Sequence, residues 1–255
     1  MNWNDLLSAS LDIGEQMQVS GAEIYRVEDC IRRICRSYGA TDVDVFTITS
    51  SIVLTIQDPE GRRWTQTRRI EKSETNLELL DRLNTLSRDM CTTKMSYADF
   101  QQQFQEIMAK KRYPQWVECL FYGIIAACFT LFAGGGISDA LVSFLIGTIL
   151  KGVLFFNRRM QFNQVFSSII ASFSVSFLAF LAVWFHAAQS VEHVVIGNIM
   201  LLIPGVGLTN SLRDMICGDT MSGILRFMEA CIIALAIASG YILAGFVLGD
   251  RKSVV

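Results

Sequence analysis

Charge is what the second half of this chain lacks. From about residue 116 to residue 248 Lys, Arg, Asp and Glu are nearly absent from four or five apolar blocks. The first 115 residues hold 15 of the 22 Lys and Arg and 17 of the 24 Asp and Glu. A soluble surface is thereby excluded for the later half. An excess of positive charge is missing too: a net charge of −2 argues against a nucleic-acid partner, which selects a basic face. The seven cysteines, at 30, 35, 91, 119, 128, 217 and 231, include no CxxC pair and no zinc-ligand spacing, so they read as reduced thiols used as small apolar residues. Nucleophile elbow, Walker loop and HExxH are all absent, which removes the usual footholds of enzyme chemistry. No catalytic residue, metal or cofactor is expected. MNWNDLLSAS has no basic stretch leading into an apolar run, so no cleavable signal peptide is expected, and internal membrane segments direct insertion.

What is present divides at Pro114, which gives two domains: residues 1–113, polar, and residues 114–250, apolar. In the first, Leu6, Leu7, Leu11 and Met17 recur at helical spacing, and Gly21 marks a stop. A second helix carries Ile24, Val27, Ile31, Ile34 and Tyr38 on one stripe and ends at Gly39. The period then becomes two, around Phe46 and Ile48 and around Ile52, Leu54 and Ile56. Asp58-Pro59-Glu60-Gly61 supplies a turn, and residues 63–69 form the return strand. Helices with Leu79, Leu80, Leu83, Leu86 and Met90, and with Phe100, Phe104 and Met108, complete an α+β domain of order αα-βββ-αα. Arg62, Arg63, Arg68 and Arg69 flank the hairpin, either as a site for acidic lipid headgroups or as a solvated strand face. The ionisable groups of the stretch 21–29, Glu23, Arg26, Glu28 and Asp29, read on composition alone as a helix start whose acids complement the helix dipole.

The second half predicts a membrane α-helical module of five spans: 116–133, 137–156, 165–185, 194–208 and 227–248. The sharpest match the roughly 20 residues that cross a bilayer core. Lys110, Lys111 and Arg112 precede the first span, Arg158 and Arg159 separate the second from the third, and Arg213 and Arg226 separate the fourth from the fifth. Five spans put all three groups on one side, which is then the cytoplasm, with the 1–113 domain there as well. Only Arg251 and Lys252 disagree. Lys151, about two turns from the end of its span, either snorkels to the interface or lines a pathway. Ser168, Ser172 and Ser176 on the third span, and Ala236, Gly240 and Ala244 on the fifth, form small-residue stripes that let helices pack closely. His186 and His193 fall in a solvated outer loop. In the region 204–229 Pro204 and Gly205 break a membrane helix, and Asn210, Arg213, Asp214, Asp219, Arg226 and Glu229 follow. Broken helices with nearby charge build substrate and ion sites in secondary transporters; the plainer alternative is a loop joining two spans.

Three motifs, Gly21-Ala-Glu-Ile-Tyr-Arg-Val-Glu-Asp29, Tyr113-Pro114-Gln-Trp116, and Pro204-Gly205…Asn210…Arg213-Asp214…Gly218-Asp219…Gly223…Arg226, resemble the bacterial threonine/serine exporter family over nearly the whole chain. The resemblance implies a cytoplasmic N-terminal domain followed by membrane helices, in the bacterial cytoplasmic membrane. It also implies export of small amino or carboxylic acids, driven by the proton gradient, and gives Glu23, Arg26 and Glu28 a functional role. Full-length members look like two fused membrane modules, and this chain resembles the larger subunit of a split type. A small multi-span membrane protein is then the expected partner, in an oligomer, and similar split pairs are associated with export of succinate-like dicarboxylates. Two functions compete: a secondary exporter subunit, and a membrane-anchored ligand sensor or scaffold. An anchor needs no Pro-Gly-x-Gly break, which favours the exporter.

Overall fold

The computed structural model describes residues 1–71, 74–110 and 113–248. Lys111 and Arg112, and Arg251 and Lys252 of the topology argument, lie outside the described residues. The chain forms two compact units. One comprises Met1–Lys111 with Gly205–Met228, the other Arg112–Pro204 with Glu229–Val255. The first unit thus takes in a stretch whose sequence places it among the membrane segments.

In that unit the order is α1 (Trp3–Val19), α2 (Ile24–Ser37), β1 (Asp42–Ile48), β2 (Ser51–Gln57), β3 (Arg63–Arg69), α3 (Leu77–Thr93) and α4 (Tyr97–Ala109). This is the αα-βββ-αα order the two periodicities predict. The apolar stripe of α2 is buried at Ile24, Val27, Ile31 and Ile34. The sheet is antiparallel in the order β1-β2-β3. Alternation sends Val43 and Val45 of β1 and Ile52, Leu54 and Ile56 of β2 to its covered face, where they join Leu6, Leu11, Met17, Leu83 and Phe100 in one core. Two hairpin arginines are neutralised inside the unit: Arg62 by Asp58 and Glu60, and Arg68 by Asp12 at 3.0 Å. These pairings favour a strand face over a lipid-headgroup site.

The later helices are α5 (Gln115–Phe132), α6 (Ile137–Arg159), α7 (Gln164–Trp184), α8 (Val191–Ile199), α9 (Gly205–Ile216) and α10 (Thr220–Leu248). Four of them, α5, α6, α7 and α10, are long and apolar enough to cross a membrane, and at most 33% of each apolar window is buried within the protein. Their exposed residues are large and apolar, among them Phe121, Phe132, Leu141, Leu145, Leu235 and Phe246. Such a surface needs lipid rather than water. α7 and α10 meet through the two predicted stripes. Ser172 Oγ donates to the Ile237 carbonyl at 2.6 Å, and a Cβ at Gly240 would stand 2.5 Å from the Ile169 carbonyl oxygen.

The expected fourth span, 194–208, takes a different form. α8 has nine residues, about 14 Å of helix against a core of about 30 Å. The helix ends at Ile199 and restarts at Gly205 because Pro204 has no N–H to donate and disfavours helical geometry in the residue before it. The segment 209–223, expected as a polar connection, is helical as well: α9 runs to Ile216, and α10 begins at Thr220 instead of residue 227.

Candidate functional site

α1 ends in a tight reversal. Gly21 N–H donates to the Gln18 carbonyl and Ala22 N–H to the Met17 carbonyl, each at 3.0 Å, and Gly21 holds φ +92°. A side chain is strained at that φ, so glycine sets the turn. Glu23 then occupies the N-cap position of α2, but its side chain caps nothing there. Glu23 is buried all the same, at 6% exposure.

It reaches the α9–α10 hairpin. The two helices of that hairpin pack closely because Gly223 has no side chain: a Cβ there would stand 2.7 Å from the Ser211 carbonyl and 2.4 Å from Met215 Cγ. Asn210, Arg213, Asp214 and Arg226 are thereby presented to the turn between α1 and α2. Asn210 Nδ2 donates to the Gly21 carbonyl at 2.8 Å, and Arg226 Nη2 to the Ala22 carbonyl at 3.1 Å. Arg213 Nη1 donates to Glu23 Oε1 at 2.8 Å, and its guanidinium lies 5.6 Å from the centre of the Tyr25 ring. Asp214 Oδ1 accepts from the Ile24 N–H at 3.1 Å, and Oδ2 forms an ion pair with Arg226 Nη1 at 3.3 Å. Asp214 is fully buried. Burial pushes its carboxyl above the ordinary aspartate range, against the pull of Arg226 and the Ile24 N–H; Asp219 and Glu23 add to the rise.

Two stretches about 190 residues apart are therefore one site. The structure brings together Glu23, Asn210, Arg213, Asp214 and Arg226, with Arg26 at its edge, 3.4 Å from Glu23 Oε2. The other expected members have different places. Glu28 is bound to Arg32 at 2.7 Å and to the Thr47 N–H at 3.0 Å, so it ties α2 to β1. Asp219 stands just before α10, its N–H donating to the Asp214 carbonyl at 2.9 Å. Gly205 opens α9, whereas Pro204 and Glu229 fall in the second unit. Sequence reasoning missed the backbone groups of Gly21, Ala22 and Ile24, which carry no residue-type signal. It also missed the Tyr25 ring, although Tyr25 lies within the 21–29 motif.

The arrangement is a set of paired arginines and carboxylates with one amide. The outer face of the hairpin is apolar at Val206, Leu212, Ile216, Met221 and Leu225. Such a cluster suits a carboxylate, held by guanidinium, and an ammonium, held by a carboxylate. Among the described residues no group of three or more His, Cys, Asp and Glu is placed to hold a metal ion.

A family model described as "putative threonine/serine exporter" matches residues 8–249. The chain belongs to the threonine/serine exporter family. Membership makes it a transport protein of the bacterial membrane, and the matched range takes in both stretches of the site just described. Among its relatives, the "probable succinate transporter subunit YjjP" of Klebsiella aerogenes is 28% identical over 236 residues, covering 91% of this chain and 89% of that protein. The protein of the same name from Escherichia coli is 24% identical over 233 residues, with 91% and 90% covered. The "threonine/serine exporter" of Corynebacterium glutamicum is 23% identical over 259 residues; the match covers 98% of this exporter-family chain and 52% of that protein. No solved structure matches the chain.

Proposed function

We propose that this chain is the larger subunit of a secondary transporter that exports small carboxylic or amino acids, coupled to protons, with Arg213, Arg226, Asp214 and Asn210 as its substrate site. The observation that carries this reading is the chemistry of the α1–α2 turn at that site. It presents one carboxylate (Glu23), two carbonyls (Gly21, Ala22) and one N–H (Ile24) to these four side chains. A substrate carboxylate can replace Glu23 on Arg213, and a substrate ammonium can replace the Ile24 N–H at Asp214. Glu23 is then the resident competitor that substrate displaces. The relatives named as subunits support a partner, a small multi-span membrane protein, in an oligomer; its co-purification from native membranes under mild detergent tests this. Lys110 before α5, and Arg158 and Arg159 at the end of α6, support a cytoplasmic residue 1–113 domain. Labelling from outside intact cells at Gly136→Cys, and its absence at Met160→Cys, tests that orientation.

The transport test is efflux from the native host. Cells lacking the chain, preloaded with labelled succinate or threonine, should export one of these solutes more slowly than wild type, and collapse of the proton gradient should abolish the difference. Equal efflux of both solutes in the two strains would refute transport and leave the sensor or scaffold.

The site also predicts a pH dependence. The raised pKa of Asp214 means that, as pH falls from neutrality, it protonates before an ordinary aspartate does. Arg226 then loses its counter-charge, so the cluster gains one positive charge and carboxylate affinity rises. Folding has the same sign. The folded chain binds this proton more readily than the unfolded chain, so acidification between the two pKa values stabilises the folded state at this residue, and the cost of the charged form is fully present above them. Half-saturating succinate, which has no ammonium for Asp214 to hold, should fall as pH falls in wild type and stay flatter in Asp214→Asn. A steeper profile in the variant would remove Asp214 from this role.

A further inference from the structure

We propose that Lys151 and Glu118 form a second carboxylate-binding station, within the membrane helices. Lys151 is the receiving cation and Glu118 its resident counter-ion. The proposal rests on the transporter reading above, but not on the Arg213 cluster.

Charge is scarce in these helices. α7 has no Asp, Glu, Lys or Arg, and α5 has Glu118 alone. α6 carries Asp139 in its first turn, Arg158 and Arg159 in its last, and Lys151 between them. Lys151 is eight residues before Arg159, about 12 Å along the helix axis. A lone lysine at that depth extends its ammonium toward the nearer interface. The ammonium of Lys151 lies 2.6 Å from Oε2 of Glu118, which stands in the first turn of α5, and 4.6 Å from the centre of the Tyr122 ring.

The seam between α5 and α6 is what allows this. A Cβ at Gly147 would stand 2.7 Å from Ala126 Cβ and 2.8 Å from the Tyr122 carbonyl, so glycine lets the helices approach. Further along the same seam Thr130 Oγ1 donates to Ser143 Oγ at 2.7 Å. The pair is held in this contact while staying partly open, with the Lys151 side chain 19% and the Glu118 side chain 30% exposed.

A paired charge inside a membrane protein is a poor packing device, because well-packed apolar residues of similar volume hold helices together as well or better. Ionisable groups on membrane helices that face the protein mark substrate and ion pathways. The ammonium has three N–H donors, and Glu118 occupies one. A substrate carboxylate can take the others or replace Glu118. The Tyr122 face stabilises the cation in either state. The fitting ligand is a small mono- or dicarboxylate, or an amino acid held by its α-carboxylate, whose ammonium would turn to Glu118.

The test replaces the chromosomal copy in the native host, which supplies whatever partner the chain uses, and follows efflux of labelled succinate and threonine. The double variant Glu118→Leu/Lys151→Met removes both charges together, so it should reach the membrane at wild-type abundance while efflux of the exported solute falls at least tenfold. Efflux within twofold of wild type at matched abundance would overturn the station and leave a structural pair. Should the double variant fail to accumulate, Lys151→Arg decides. It keeps the cation and the ion pair, so a structural role predicts an unchanged half-saturating concentration and overturns the proposal, whereas a carboxylate site predicts a shift of threefold or more. If the wild-type strain exports neither solute faster than the deletion strain, the transporter reading fails and the station with it. Wild-type export combined with full export by the double variant sinks the station alone.

Discussion

Arg226→Met is expected to destabilise the folded chain by about 3–5 kcal/mol, the cost of breaking a buried ion pair from one side. Asp214 is fully buried and the Arg226 side chain is only 14% exposed. Removing the guanidinium leaves a carboxylate with no counter-charge and the Ala22 carbonyl without its donor. The loss should also shrink as pH falls. Arg226 is the strongest influence holding the Asp214 carboxyl down against burial, so without it protonation begins at a higher pH and relieves the penalty. Adding Asp214→Asn should recover part of the stability, because the amide oxygen can still accept the Ile24 N–H while the stranded charge is gone. Denaturant unfolding of the purified chain in detergent measures both variants against wild type. A loss below about 1 kcal/mol in Arg226→Met, the range of surface substitutions, would show that the pair is solvated.

Arg213→Lys separates function from topology. Either residue satisfies a positive-inside signal. Only arginine offers the planar fork that binds a carboxylate with two parallel hydrogen bonds and stacks on Tyr25. One charge-assisted hydrogen bond is worth about 1.5–3 kcal/mol, so the half-saturating substrate concentration should rise roughly ten- to a hundredfold at matched membrane abundance. Arg213 is 55% exposed on its side chain, so folding should change little. Full export by Arg213→Lys would reduce Arg213 to a topology signal. Glu23→Gln is the complementary variant: it weakens the competitor while preserving its shape, so it should lower the half-saturating concentration.

Much of this could be read directly from residue order. Periodicity of 3.6 in α1 and α2 and of 2 in β1 and β2 placed those elements, because each buries one face; in β1 the buried face is the one carrying Val43 and Val45, and Phe46, around which the alternation was expected, is 62% exposed. The scarcity of charge after Pro114 marked the apolar helices, since lipid tolerates few ionised groups. Pro204 marked a helix break, because a missing N–H is local chemistry. The motifs around Glu23 and Arg213 pointed to the family. Tertiary structure alone decided that these motifs meet. Nothing local links Glu23 to Arg213 across 190 residues; Gly21 turns α2 toward the hairpin, and Gly223 lets α9 and α10 close. The same holds for Lys151. Its sequence position permits snorkelling, and only the approach of α5 at Gly147 supplies Glu118 as a partner. Glu28 went the other way: its place in the motif suggested the site, but the nearest donors are Arg32 and the Thr47 N–H. A charged side chain takes the partner that three-dimensional packing brings within hydrogen-bond distance, and spacing along the chain does not encode that distance.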